Sequence, residues 1–237
     1  MPIIAQIQQD LRAKATARRR EASAWYFKPE PGVRDVFLGV TVPDQRLVSK
    51  KYYRTITPIE VQRLLHSDIH EERLTALLIW VLQYKRGDEQ KKAQIYELYM
   101  KNTQWINNWD LVDTSARDIV GEYIYDKSRQ VLEELSSSKN VWERRIAIIS
   151  TSYFIQLDDF EWTLKLSEQY LSDSHHYIHK ATGWMLREVG KRDQKVLREF
   201  LDEFAAAMPR TMLRYAIEKF DKPTRKAYLA IKKSPVQ

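Results

Sequence analysis

Apolar residues recur along this chain at three- and four-residue spacing for almost its whole length, the period of a helix rather than of a strand. Ile3, Ile4, Ile7, Leu11 and Ala15 form one stripe, with Arg18-Arg19-Arg20 on the polar side before Ala22, Trp25 and Tyr26. Residues 3–26 therefore read as a single helix, ended by Pro29, Pro31 and Gly32. Phe37-Leu38-Gly39-Val40-Thr41-Val42-Pro43 is β-branched enough for a strand, but an unpaired strand is not stable. It reads as an extended connector packed on helices, with Pro43 opening a helix through Lys50. Thr57-Pro58-Ile59-Glu60 combines an N-cap, a proline at the first helical position and a glutamate at the third, which mark a helix start. Helices then follow one another, with breaks at Asp68, Gly87-Asp88, Asn107-Asn108, Asp126-Lys127, Ser136-Ser137-Ser138, Asp158-Asp159, Ser172-Asp173, Lys191-Arg192-Asp193 and Met208-Pro209.

The breaks expose a repeat. Ala76, Ala116, Ala147, Ala181 and Ala216 are spaced 40, 31, 34 and 35 residues apart, each near the start of an apolar helix. Two helices per period of roughly 30–47 residues predict an all-α fold, a curved α-solenoid of HEAT-like repeats; a generic helical bundle is the alternative. The expected organisation is one domain, 1–237, with an N-terminal helical cap over about 1–56 and HEAT-like repeats over about 57–230. A solenoid aligns equivalent positions of successive repeats on its concave face, which would bring Trp109, Asp113, Arg145, Trp184 and Arg187 together.

Composition narrows the classes. Only 6 Gly and 8 Pro in 237 residues oppose an all-β fold built on tight turns. The absence of cysteine excludes disulfides, thiolate ligation and a cysteine nucleophile, and fits a reducing compartment. No apolar run approaches about 18 residues, and Met1 to Arg20 lacks a signal-peptide core, so a cytoplasmic protein with no membrane partner is expected. Lys and Arg exceed Asp and Glu by 11 to 6 over residues 1–60 and by 18 to 13 over 139–237, whereas over 61–138 the acids lead by 13 to 10. Two basic ends around an acidic middle suit a polyanion with a carboxylate placed between, although many soluble proteins are modestly basic without such a partner.

The candidate chemistry centres on Asn107-Asn108-Trp109-Asp110-Leu111-Val112-Asp113. Asn108 is a plausible N-cap, and a helix from there sets Trp109 and Asp113 four apart on one face. An indole beside a carboxylate suits a ligand carrying positive charge; equally, first-turn acids answer the helix dipole and tryptophans pack. Gly-rich phosphate loops, GxSxG and HExxH are absent. His175, His176 and His179 read as a surface turn rather than a metal site. Arg144 and Arg145 are adjacent, so at most one faces a shared groove, while Trp184 and Arg187 share a helical face. Arginine holds phosphate without reading bases. A fixed aspartate between indoles answers the positive charge that builds on a sugar as its base departs.

At these residues the chain resembles a known family. Asn107 to Asp113, Trp142-Glu143-Arg144-Arg145-Ile146-Ala147 and the segment His179 to Glu188 look like hallmark segments of AlkD-like DNA alkylation repair proteins. Phe37-Leu38-Gly39-Val40, followed by Pro43 and Arg46, looks like that family's N-terminal motif, and the likeness runs from about residue 20 to 220. The resemblance implies a monofunctional HEAT-repeat DNA glycosylase of base excision repair, removing N3- and N7-alkylated purines. It implies Asp113 as the catalytic aspartate, Trp109 and Trp184 as sugar contacts, Tyr26 as a further groove residue, and Arg145 and Arg187 as DNA-backbone contacts. Arg210 and Arg214 extend the basic wall or lie on solvated surface.

The expectation is thus an enzyme acting on duplex DNA with alkylated purines, monomeric, needing no metal or organic cofactor and no obligate protein partner. The rival readings are a non-catalytic binder of distorted or branched DNA and a protein-interaction scaffold.

Overall fold

The computed structural model describes residues 1–27 and 35–232, and they are helical throughout apart from connectors and one isolated parallel bridge, Val36 to Ile69. The expected breaker segment Pro29-Glu30-Pro31-Gly32 lies outside the described residues. The chain divides into two compact units, Met1–Ile119 and Val120–Gln237.

The first unit holds α1 (Ile3–Lys14), α2 (Ala17–Tyr26), α3 (Val42–Tyr52), α4 (Pro58–Leu65), α5 (His70–Tyr84), α6 (Glu89–Lys101) and α7 (Trp109–Ala116). The second holds α8 (Glu122–Ile124), α9 (Gln130–Ser136), α10 (Val141–Gln156), α11 (Glu161–Gln169), α12 (His176–Arg192), α13 (Gln194–Phe204), α14 (Arg210–Ala216) and α15 (Lys222–Ala230). In the first unit α5 packs on α3, α4 and α7; in the second α10 packs on α9 and α12, and α12 on α13 and α14. In the second unit the long α10 and α12 alternate with the short α9 and α11, as in helical-repeat proteins. The five repeat alanines are all buried, each five to seven residues past the first residue of α5, α7, α10, α12 or α14. That common depth makes the repeat structural: a small residue is needed where neighbouring helices press closest. Gly183 shows the same demand, since a Cβ there would lie 2.4 Å from the Met212 carbonyl oxygen of α14.

The single helix expected over residues 3–26 is two. Ala15 and Thr16 are extended, and the Thr16 amide donates to the Gly39 carbonyl instead of continuing the helix. Gly39 sits at φ 83°, and a Cβ on it would lie 2.3 Å from the Arg20 nitrogen, so only glycine fits between connector and helix. The apolar stripe ends with the first helix: Ile7 and Leu11 are buried, whereas α2 buries no side chain.

The connector before α3 is extended, as its sequence predicts, and it is held by a buried carboxylate. Glu71 accepts the amides of Leu38, Gly39 and Val40 at 2.9, 2.7 and 3.3 Å. Thr41 caps α3 through the Asp44 amide, and Thr57 with Glu60 forms the expected capping box of α4. α5 is buried at every position except Leu82. Its first four residues are ionisable, so each needs a partner inside. Glu72 accepts from Gln8 and Arg12, and Arg73 donates to the Ser67 carbonyl and pairs with Asp35.

Candidate active site

α7 begins where the Asn108 backbone is extended, and the Asn108 Oδ1 accepts the Trp109 amide at 2.8 Å. The turn that follows sets Trp109 and Asp113 on one helical face, both half-buried. They line a cleft of about 500 Å³ in the first unit, with Phe27, Arg46, Lys50 and Lys85 among its walls. Arg46 and Lys50 reach it from α3 and are exposed; Lys85 pairs with Asp118 at 2.7 Å. Tyr26 stands edge-on to Trp109, ring centroids 6.0 Å apart, and is 61% exposed. The fold therefore brings together Tyr26, Trp109 and Asp113, and it adds the Phe27 ring stacked on the indole. A carboxylate beside an aromatic face answers developing positive charge, and cations at the rim answer phosphate.

Beneath Trp109 lies a buried ionic cluster. His70 places Nε2 2.8 Å from Asp110 and Nδ1 3.2 Å from Asp35, while Arg73 pairs with the other oxygen of Asp35. Asn108 donates to Asp35 at 3.4 Å through its amide nitrogen, so the residue that caps α7 is itself tied down. Burial alone would strip the proton from His70, but the Asp110 charge and the hydrogen bonds to both carboxylates outweigh it and raise the imidazole to about 9. Burial would likewise raise Asp35, but the hydrogen bond from His70 and the Arg73 charge hold it at about 2.

In the second unit Trp184 and Arg187 share a face of α12, as their spacing predicts. The Trp184 Nε1 donates to Glu188 at 3.0 Å, and Arg187 pairs with Glu218 and with Glu188. Arg145 does not present its guanidinium to solvent: the residue is 4% exposed, and Nη1 donates to the Tyr177 carbonyl at 2.6 Å. Its neighbour Arg144 is half-buried and donates to Asp173 at 2.7 Å. Neither arginine of that pair is offered to a phosphate in this arrangement. Arg210 donates to the Ile231 carbonyl and Arg214 is exposed. His175 caps α12, while His176 and His179 lie within that helix, where His179 bonds the Asp173 carbonyl.

A family model described as DNA alkylation repair enzyme matches residues 7–220. The chain belongs to that family. Two solved structures share its fold. One is a predicted DNA alkylation repair enzyme from Enterococcus faecalis, 16% identical with TM-score 0.71, the match covering 88% of this chain and 98% of that one. The other is AlkD2 from Streptococcus mutans, 15% identical with TM-score 0.60, over 92% of this chain and 97% of that one. No curated protein matches the chain. This member of the DNA alkylation repair enzyme family is thus an enzyme of alkylation repair whose substrate is DNA.

Several residues in and beneath this repair enzyme's cleft escape a reading of the sequence: Phe27, His70 and Asp35 stand in no recognisable motif. One signal was present: Leu74-Thr75-Ala76-Leu77-Leu78-Ile79-Trp80-Val81 has no polar face, so its helix is interior and the charges at its start must be interior too.

Proposed function

We propose that this repair enzyme is a monofunctional DNA glycosylase that hydrolyses the N-glycosidic bond of cationic N3- and N7-alkylated purines in duplex DNA. The observation that carries the reading is the Trp109 indole and the Asp113 carboxylate lining one cleft with Arg46, Lys50 and Lys85. Alkylation at N3 or N7 puts positive charge on the purine, which makes it a good leaving group. The bond from C1′ to the base nitrogen breaks, its electron pair neutralises the base, and positive charge develops on the sugar. The Asp113 carboxylate stabilises that charge. Trp109 covers the sugar edge and keeps bulk water from the cation. Water then adds at C1′ and gives up a proton to Asp113, leaving an abasic site and a free, neutral base.

The family resemblance adds Trp184 as a sugar contact and Arg187 as a phosphate ligand, the latter giving up its pairing with Glu218. Arg145 is left out of the contact set because its guanidinium is enclosed. The enzyme acts as a monomer, with water as sole co-reactant.

The test is release of free 7-methylguanine from methylated duplex DNA. Wild type releases it; Asp113→Asn binds the same duplex but releases it about a hundredfold more slowly or worse. Binding by wild type without release would identify a non-catalytic DNA binder. An unchanged rate in the variant would remove Asp113 from the chemistry.

A further inference from the structure

The ionic cluster beneath the cleft has a consequence for the indole above it. His70 is 2% exposed, and both its ring nitrogens face carboxylates. An ionised carboxylate only accepts hydrogen bonds, so both contacts are made only when both nitrogens carry hydrogen and the ring is an imidazolium. The charged groups that face it are Asp35 from the connector and Asp110 from α7, and Arg73 from its own helix pairs with the other oxygen of Asp35. Two cations thus meet two anions, the arrangement in which buried charge is tolerated. The rings of Phe27 and Phe37 lie 4.9 and 5.0 Å from the imidazole. Phe27 then stacks on Trp109 at 5.4 Å. His70 therefore reaches Trp109 by two routes: through the Asp110 carboxylate in the first turn of α7, and through the Phe27 ring.

We propose that His70, as an imidazolium, is a positioning residue for Trp109: its bond to Asp110 and its contact with Phe27 fix the first turn of α7 and the indole plane, so that Trp109 and Asp113 present one rigid surface. The effect on excision rests on the glycosylase reading above; the fixing of Trp109 does not. Loss of the proton leaves one carboxylate facing a lone pair; either one loosens the start of α7, Asp110 directly and Asp35 through Asn108, the cap it accepts from. The raised pKa places that release in mildly alkaline solution rather than near neutrality.

The experiment uses the full chain and three readouts. Long-range proton–nitrogen spectra near pH 8 show His70 doubly protonated. The Trp109 indole N–H signal, assigned with Trp109→Phe, moves with the His70 titration, and in His70→Gln it is displaced at neutral pH and no longer titrates. Single-turnover release of 7-methylguanine near neutral pH falls about tenfold in His70→Gln, while affinity for the duplex changes less than about twofold. Asp110→Asn serves as a second variant should His70→Gln fold poorly. Its amide oxygen still accepts from Nε2 but carries no charge, so the His70 titration and the Trp109 shift move together to lower pH. A Trp109 signal indifferent to the His70 titration, or to the Asp110→Asn displacement of it, overturns the proposal. If wild type releases no 7-methylguanine while Trp109 still tracks His70, the glycosylase reading falls and the positioning role stands.

Discussion

The phenyl ring of Phe27 lies nearly parallel to the indole of Trp109, with centroids 5.4 Å apart and 19° between the planes. Phe27 follows α2 directly, so that helix reaches the cleft through a ring rather than through a charge. Such pairs contribute about 0.5–1.5 kcal/mol beyond the area they bury. Phe27→Ala is expected to slow single-turnover release of 7-methylguanine about tenfold by freeing the indole, with Phe27→Tyr close to wild type. An unchanged rate in the alanine variant takes Phe27 out of the site.

Arg46 and Lys50 stand exposed on one wall of the cleft. If they neutralise phosphates, duplex affinity should fall linearly on logarithmic axes as salt is raised, and each alanine variant should reduce that slope by about one. Titrations of undamaged duplex at several salt concentrations check this. Slopes equal to wild type would place the DNA elsewhere.

Stability should depend on pH in a particular sense. Asp35 is depressed to about 2, so its stabilisation is complete above its ordinary 3.8 and fades as pH falls toward 2. His70 is raised to about 9, so its stabilisation is complete below its ordinary 6.5 and fades as pH rises through 9. Urea midpoints should be level between these limits and decline on the alkaline side, with roughly 3 kcal/mol at stake. The alkaline decline should shrink in His70→Gln. A flat wild-type profile from pH 6 to pH 10 would contradict the ionised cluster.

Glu71 holds three consecutive amides of the connector. Glu71→Gln keeps the shape but loses the charge and offers donors to donors, which costs about 2 kcal/mol or more. The expected result is a lower melting temperature and faster hydrogen exchange at Leu38, Gly39 and Val40. Exchange unchanged at those amides would show that the carboxylate does not hold them.

The helical class, the repeat and most breaks were legible because they follow from local periodicity and capping. Asn108 and Thr57 cap the helices their side chains predict. Trp109 and Asp113 share a face because four residues make one turn. What could not be read was long-range. The break at Ala15-Thr16 follows from the carbonyl of Gly39, more than twenty residues away, and no local pattern records it. The resemblance implied Arg145 as a DNA-backbone contact, yet a neighbouring helix start encloses it. The pairing of His70 with Asp35 and Asp110 joins residues 35 and 40 positions apart, and only the packing of α5 against the connector and α7 creates it.

α2 contributes nothing to the apolar interior, yet it carries Tyr26 and leads into Phe27. Exchanging its exposed side chains would uncover no oily surface and would leave the supporting scaffold intact. The groups that this one helix presents beside Trp109 can therefore be exchanged, by selection or by design, with little penalty to the rest of the molecule.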